Sequence, residues 1–134
     1  MIDYARPEVA EVAALRAEAG WEVIDPQVLG MALDASILFV GWRVEGRLIG
    51  MVRAVGDGIL YAHVQDLVVM RSHRGQGIAA RLLDTILARL DDRMGPGSAI
   101  GLMAVAGLEP FYASRGFMAR PDGKYGAGMT RILG

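Results

Sequence analysis

The stretch Arg71-Ser-His-Arg-Gly-Gln-Gly-Ile-Ala-Ala-Arg-Leu-Leu-Asp-Thr-Ile-Leu-Ala-Arg-Leu90 places two glycines directly before a strongly periodic segment. Ile78, Leu82, Leu83, Ile86, Leu87 and Leu90 recur at i, i+3, i+4 and i+7, the spacing of one buried helix face. Glycine starts a helix poorly and costs backbone entropy. Its presence at Gly75 and Gly77 implies a junction that needs positive φ or a close approach to the backbone. The first turn of a helix has N–H groups with no internal partner and the positive end of the macrodipole. Glycines let an anion come close to those amides. Arg74 adds a full charge beside them. The sequence therefore predicts a pyrophosphate-type site at 74–79; the alternative is a tight turn that binds nothing.

Upstream of the junction, His63-Val-Gln-Asp-Leu-Val-Val-Met70 reads as a strand. Simple alternation sends His63, Gln65, Leu67 and Val69 to one face and Val64, Asp66, Val68 and Met70 to the other. Before it, "SILFVGWRV", "EGR" and "LIGMVRAV" predict a hairpin, and "ILYA" a third strand after "GDG". The N-terminal third predicts two helices. One follows Pro7, with Val9, Val12, Ala13 and Leu15 at helical spacing and Gly20 as its stop; a shorter one begins at Pro26. After the long helix, "GPG" breaks the chain and "SAIGLMAV" predicts a strand. "LEPFYASRG" predicts a short helix, "FMAR" a strand start and "AGMTRIL" a last edge strand.

The chain has 134 residues, of which 53 % are hydrophobic, which fits a single domain over 1–134. With 14 Lys+Arg against 15 Asp+Glu there is no field to gather nucleic acid or an anionic membrane, and Lys124 is the one lysine. The absence of cysteine removes disulfides, thiolate zinc sites and a cysteine nucleophile, and two histidines make a metal site improbable. No apolar run reaches membrane-spanning length and "MIDYARPEVAEV" has no signal-peptide core, so a cytoplasmic protein is expected. A P-loop string and a complete GxGxxG are both missing.

Arg74-Gly75-Gln76-Gly77-Ile78-Ala79 resembles the Q/R-x-x-G-x-G/A signature of the GCN5-related N-acetyltransferase superfamily, with Arg74, Gly77 and Ala79 in its three defined places. "DLVVM" resembles the strand that pairs with the pantetheine arm of acetyl-CoA, and "LEPFYASRGF" the second family signature. The resemblance implies an α/β fold with a mixed, mostly antiparallel central sheet flanked by helices. Two parallel strands splay apart at the cofactor site. It implies acetyl-CoA as acetyl donor, bound by Leu67, Val68, Val69 and the amides of Gly75 to Ala79, with Tyr112 beside the sulfur and Arg115 near the cofactor. Tyr112 then protonates the leaving thiolate, since a phenol near pKa ~10 can still protonate a thiolate whose acid form lies near ~8.5.

His63 falls where some family members carry a catalytic Glu or His, and an imidazole near ~6.5 suits a general base acting through water held by Gln65. Asp66 is the rival position. By the same likeness the Val69 N–H is the oxyanion donor. The acceptor, a primary amine on a small molecule or peptide, would meet Trp21, Glu22, Asp25, Tyr61, Gln65 and Tyr125. A homodimer through the C-terminal strands is a family-level expectation. The competing function is a non-catalytic acyl-CoA-binding or regulatory module.

Overall fold

A tight hairpin and an aspartate-locked turn order the central sheet. In a computed structural model describing residues 1–134, Glu45 and Gly46 both take positive φ (50° and 78°) between strands β2 (Leu38–Val44) and β3 (Arg47–Gly56). Two left-handed residues in succession match the right-handed twist of the flanking strands. At the far end of β3, Asp57 Oδ1 accepts from the N–H groups of Ile59, Leu60 and Tyr61 at 2.8, 2.8 and 3.0 Å. Those bonds hold the Asp57 carboxyl below its usual pKa. They also turn Ile59 and Leu60 into the bend itself. The expected separate strand "ILYA" is therefore absent, and Tyr61 and Ala62 open β4 (Tyr61–Val69).

The sheet has the order β1-β2-β3-β4-β5, with β1 at Ile2–Asp3 and β5 at Ala99–Gly101, and the first four strands are antiparallel neighbours. Ala99, which begins β5, donates to the carbonyl of Leu60, immediately before β4. The two strands thus start side by side and run parallel. β5 covers three residues and β4 nine. The later half of β4 consequently has no strand beside it on that edge.

Helix α1 (Val9–Glu18) starts after Pro7 with a capping box: Glu8 N–H donates to Glu11 Oε1 at 3.1 Å. Pro7 precedes the cap rather than occupying the first turn. Helix α2 (Pro26–Asp34) has Pro26 in its first turn, and Asp25 Oδ1 caps the Gln27 and Val28 amides. Helix α3 runs from Ile78 to Arg93. Ile78, Leu82, Leu83, Ile86 and Leu90 are buried as the periodicity required, and Leu87 at the stripe's margin is half-buried. A fully buried Leu or Ile contributes about 1.5–3 kcal/mol relative to exposure, so this stripe anchors the helix.

Cross-strand partners share a face of a sheet, which fixes the layers. Gly50 pairs with Val69 and Trp42, and a Cβ on Gly50 would lie 3.3 Å from Leu82 Cδ1 and Val69 Cγ2. That is the α3 face. Arg53 pairs with Gln65, and its guanidinium shares Asp66 with Arg16 of α1. That is the α1 face.

The chain divides into two compact units, Met1–Ile100 and Gly101–Gly134. In the second, helix α4 (Glu109–Ala113) is capped at Ser114 and followed by a turn that includes Gly116, which has φ 90°. The expected "SAIGLMAV" strand shrinks to β5. "FMAR" and "AGMTRIL" are irregular, apart from one bridge between Asp122 and Tyr125. The glycine pair Gly126 and Gly128 and the exposed Met129, Ile132 and Leu133 give this tail no buried face to set a register.

Candidate functional site

The residues around Asp66 depart from the alternation that the sequence suggests. Arg53 pairs with Gln65 and Met51 with Val68, so Asp66 and Leu67 together oppose Val52. The extra residue is a β-bulge, and Asp66 adopts φ 56° to make it. The bulge reverses the phase of β4. Val55 pairs with His63 and Arg53 with Gln65, which puts His63, Gln65 and, by alternation, Tyr61 on the α1 face. Beyond the bulge Val69 pairs with Gly50 and lies on the α3 face; Leu67 goes with it and Val68 takes the α1 face. The expected single row of His63, Gln65, Leu67 and Val69 is thus split, and Asp66, expected to point away from His63, has its carboxylate on the His63 face.

The backbone changes phase too. Met70 N–H donates to Ile49 O at 2.8 Å, the pattern flanking a non-hydrogen-bonded pair at Gly50 and Val69. The peptide groups of Val69 and, two residues back, Leu67 therefore face away from β3, toward the edge that β5 leaves bare. Without the bulge these groups would face β3.

A 3₁₀ turn at Arg71–His73 connects this edge to α3. It is tied down twice. Glu18 of α1 accepts from the Arg71 N–H at 2.6 Å, and Arg74 Nε donates to the Val69 carbonyl at 3.0 Å. Arg74 thus bends back over the end of β4 and keeps its charge beside the glycine turn. Gly75 and Gly77 have φ 78° and 77°, and a Cβ on either would meet nothing within 4 Å. Gly77 is the N-cap of α3, with no side-chain cap. The first intrahelical bond runs from Arg81 N–H to Gly77 O, which leaves the Ile78, Ala79 and Ala80 amides projecting from the helix end. Open space, uncapped amides, a helix dipole and Arg74 suit a diphosphate, so the donor set fits coenzyme A. Gln76 is exposed at the crest of the turn.

His63 and Gln65 are half-buried and in contact, Gln65 Nε2 lying 2.6 Å from His63 Nδ1. With the amide nitrogen donating, the imidazole proton sits on Nε2. With the carboxamide turned over, Oε1 accepts from Nδ1–H and Nε2 keeps its lone pair. Either way Gln65 fixes the tautomer of His63, a task the sequence did not reveal. Tyr61 projects from the same face and is 64 % exposed. Trp21 follows α1, half-buried under Arg16 at 5.2 Å, and Glu22 is exposed. Asp25, expected as an acceptor contact, is committed to capping α2.

In the second unit, Tyr112 packs edge-on against Phe111 and Phe117, with centroids 5.1 and 6.1 Å away. Burial pushes its phenol pKa up, which keeps the proton on oxygen at neutral pH. Arg115 donates to the Phe111 carbonyl and Ser114 Oγ and lies over the Phe111 ring at 4.5 Å. Tyr125 stands between Arg120 and Lys124.

The acetyltransferase (GNAT) domain model matches residues 3–132. The chain belongs to the GNAT acetyltransferase family. An uncharacterised ycf52-like N-acetyltransferase of Prochlorococcus marinus is 30 % identical to this GNAT chain over 120 residues, covering 87 % of it and 66 % of the relative. A histone acetyltransferase of Glycine max is 35 % identical over 127 residues, covering 87 % of this chain and 54 % of its own. The chain thus spans between about half and two thirds of the length of these curated relatives. Among solved structures, a probable acetyltransferase of unknown function from meticillin-resistant Staphylococcus aureus superposes with a TM-score of 0.89 over 99 % of this chain and 98 % of that one, at 24 % identity. This confirms the GNAT fold expected from the sequence. No helix is long and apolar enough to cross a membrane.

Proposed function

We propose that residues 1–134 act as one catalytic domain that transfers an acetyl group from acetyl-CoA directly to a primary amine of a small molecule or peptide. The observation that carries this reading is the uncapped, glycine-led start of α3 beside the bare β4 edge, where the peptide groups of Leu67 and Val69 face outward. When bound, acetyl-CoA supplies the activated thioester. The amides of Gly75 to Ala79 and the Arg74 charge hold its diphosphate. The Leu67 N–H and C=O and the remaining lone pair of the Val69 C=O offer hydrogen bonds to the pantetheine amides, with Val68 anchoring the strand between them. The Val69 N–H also faces the thioester oxygen as negative charge grows there.

The amine must lose a proton before it attacks. His63 takes that proton at Nε2, with Gln65 Oε1 accepting from Nδ1–H to hold the tautomer. Tyr112 Oη keeps its proton at neutral pH and delivers it to the departing sulfur. Arg115 stands in the lysine place of the family's second signature and would add a charge toward the cofactor. Tyr61, Trp21, Glu22 and Tyr125 offer rings and a carboxylate to a cationic amine.

Melting in the presence of acetyl-CoA, CoA and ATP tests the donor. Ligand at ~100 times its Kd should stabilise by about 2.7 kcal/mol. Stabilisation by ATP but not by acetyl-CoA refutes the donor assignment. A thiol-release screen over amines, amino acids and peptides tests the transfer: binding without CoA release on any acceptor would leave only an acyl-CoA-binding module.

A further inference from the structure

The bulge in β4 needs something to hold it, because Asp66 sits at φ 56°, where residues other than glycine are uncommon. Its carboxylate is gripped from both sides. Arg53 Nε of β3 lies 2.7 Å from Oδ2, and Arg16 Nη1 of α1 lies 3.3 Å from Oδ1. The three side chains are only 16 %, 10 % and 14 % exposed for Arg16, Asp66 and Arg53, so water and salt screen the contacts little. Arg53 Nη1 is further fixed by Ser36 Oγ, which in turn bonds the Ala32 carbonyl of α2. Arg16 Nε is buried with no acceptor, a cost that its contact with Asp66 must offset.

We infer that the Arg16–Asp66–Arg53 clamp is the positioning device that keeps β4 bulged and so holds the Leu67 and Val69 peptide groups on the acetyl-CoA edge. The inference rests on the acetyl-CoA reading above for its functional consequence, but its structural half stands apart from it. Asp66 is not the proton acceptor of the reaction. Two cations lock its carboxylate, and its work is to trade that lock for a left-handed backbone. Two residues after Arg16 on the same α1 turn, Glu18 accepts from the Arg71 N–H of the loop. Helix α1 thereby secures both the strand and the turn that present backbone to the ligand.

Asp66→Asn separates the two ingredients, since asparagine tolerates the left-handed region but cannot pair with two arginines. Amide hydrogen exchange without ligand and acetyl-CoA affinity by calorimetry are measured on the wild type, Asp66→Asn, Arg16→Met and the double variant. All measurements are made below the lowest melting temperature. Arg6→Met, which breaks the separate Arg6–Asp34 pair and the bonds from Arg6 to the Pro7 and Gly30 carbonyls, is the control for losing an arginine outside the clamp. Asp66→Asn should speed exchange at Val68, whose amide faces Met51, at least tenfold and raise the acetyl-CoA Kd about tenfold. Arg16→Met should do the same about threefold, and the double variant should add little to Asp66→Asn, as members of one network do. Arg6→Met should move neither. Wild-type exchange and affinity in Asp66→Asn overturn the clamp. If Asp66→Asn does not fold, unchanged exchange in Arg16→Met overturns it instead. Should the wild type bind no acetyl-CoA, the functional reading fails, while exchange at Val68 still decides whether the clamp holds the bulge.

Discussion

Replacing Gly77 by alanine separates what the α3 junction does for the fold from what it does for a ligand. Gly77 is the α3 N-cap at φ 77°, and a Cβ there meets nothing within 4 Å. The chain alone therefore bears no steric clash. It bears the left-handed penalty of an L-residue, about 1–2 kcal/mol, offset in part by about 0.4–1 kcal/mol from the stiffer unfolded chain. The net loss is about 1 kcal/mol, which for a domain of this size lowers Tm by roughly 4 °C. The ligand suffers more. The added methyl occupies open space at the helix start, beside the turn where the diphosphate is proposed to lie. Losing one charge-assisted bond costs about 1.5–3 kcal/mol, or a 10- to 150-fold rise in the CoA Kd. Melting without ligand and calorimetry with CoA give both numbers from one preparation. Gly56→Ala is the mirror case: its Cβ would fall 2.5 Å from the Tyr61 carbonyl at φ 125°. That variant should lose about 2–4 kcal/mol of stability and, where folded, bind CoA normally. A Gly77→Ala protein with the calculated drop in Tm and an affinity for CoA within twofold of wild type would refute the anion site at α3.

Three further outcomes follow from the same geometry. Tyr112→Phe should lower kcat about 100-fold or more and leave the acetyl-CoA Kd unchanged. Because burial raises the Tyr112 pKa, the phenol stays protonated past pH 10 and should add no alkaline limb below that; a titration of kcat assigned to Tyr112 near neutrality would contradict this. His63→Ala should cut turnover at least 100-fold with acetyl-CoA affinity intact, and full activity across pH would remove His63 as the base. Arg43 ties β1, α1 and the β2–β3 turn together through Asp3, Glu11 and the Gly46 carbonyl, and Arg43→Met should cost about 1–3 kcal/mol in denaturant melts. Hydrogen bonds from Arg43 hold the Asp3 and Glu11 carboxyls below their ordinary values of 3.8 and 4.5. Their stabilisation is complete above those values and is lost as pH falls through the lower folded ones. Arg43→Met should therefore flatten the wild type's acid decline below about pH 4.

How much of this was readable before the fold follows from the range of the forces involved. The glycine junction is local: positive φ at the glycines, a helix start with free amides and a 3.6-residue apolar stripe are all written within twenty consecutive positions, and the structure shows them there. Tyr112 and Arg115 entered through a likeness between motifs, because nothing in an isolated "FYASRG" distinguishes an acid from a packed ring. The C-terminal strands were overread because β-branched and apolar residues there suggested pairing without any buried face to fix it. The bulge was missed for a different reason. A period of two carries its own continuation, and an aspartate in the middle of "HVQDLVV" gives no sign of leaving it. What makes Asp66 leave it are Arg16 and Arg53, on another helix and another strand, and no local pattern connects them. Yet the single inserted residue decides which peptide groups of β4 look outward. Had the alternation run on unbroken from His63, Leu67 and Val69 would spend their hydrogen bonds on β3, and the glycine turn would hold a diphosphate with no backbone edge to receive the arm behind it. The proposed function therefore depends less on the residues that announce it than on a left-handed aspartate held between two distant arginines.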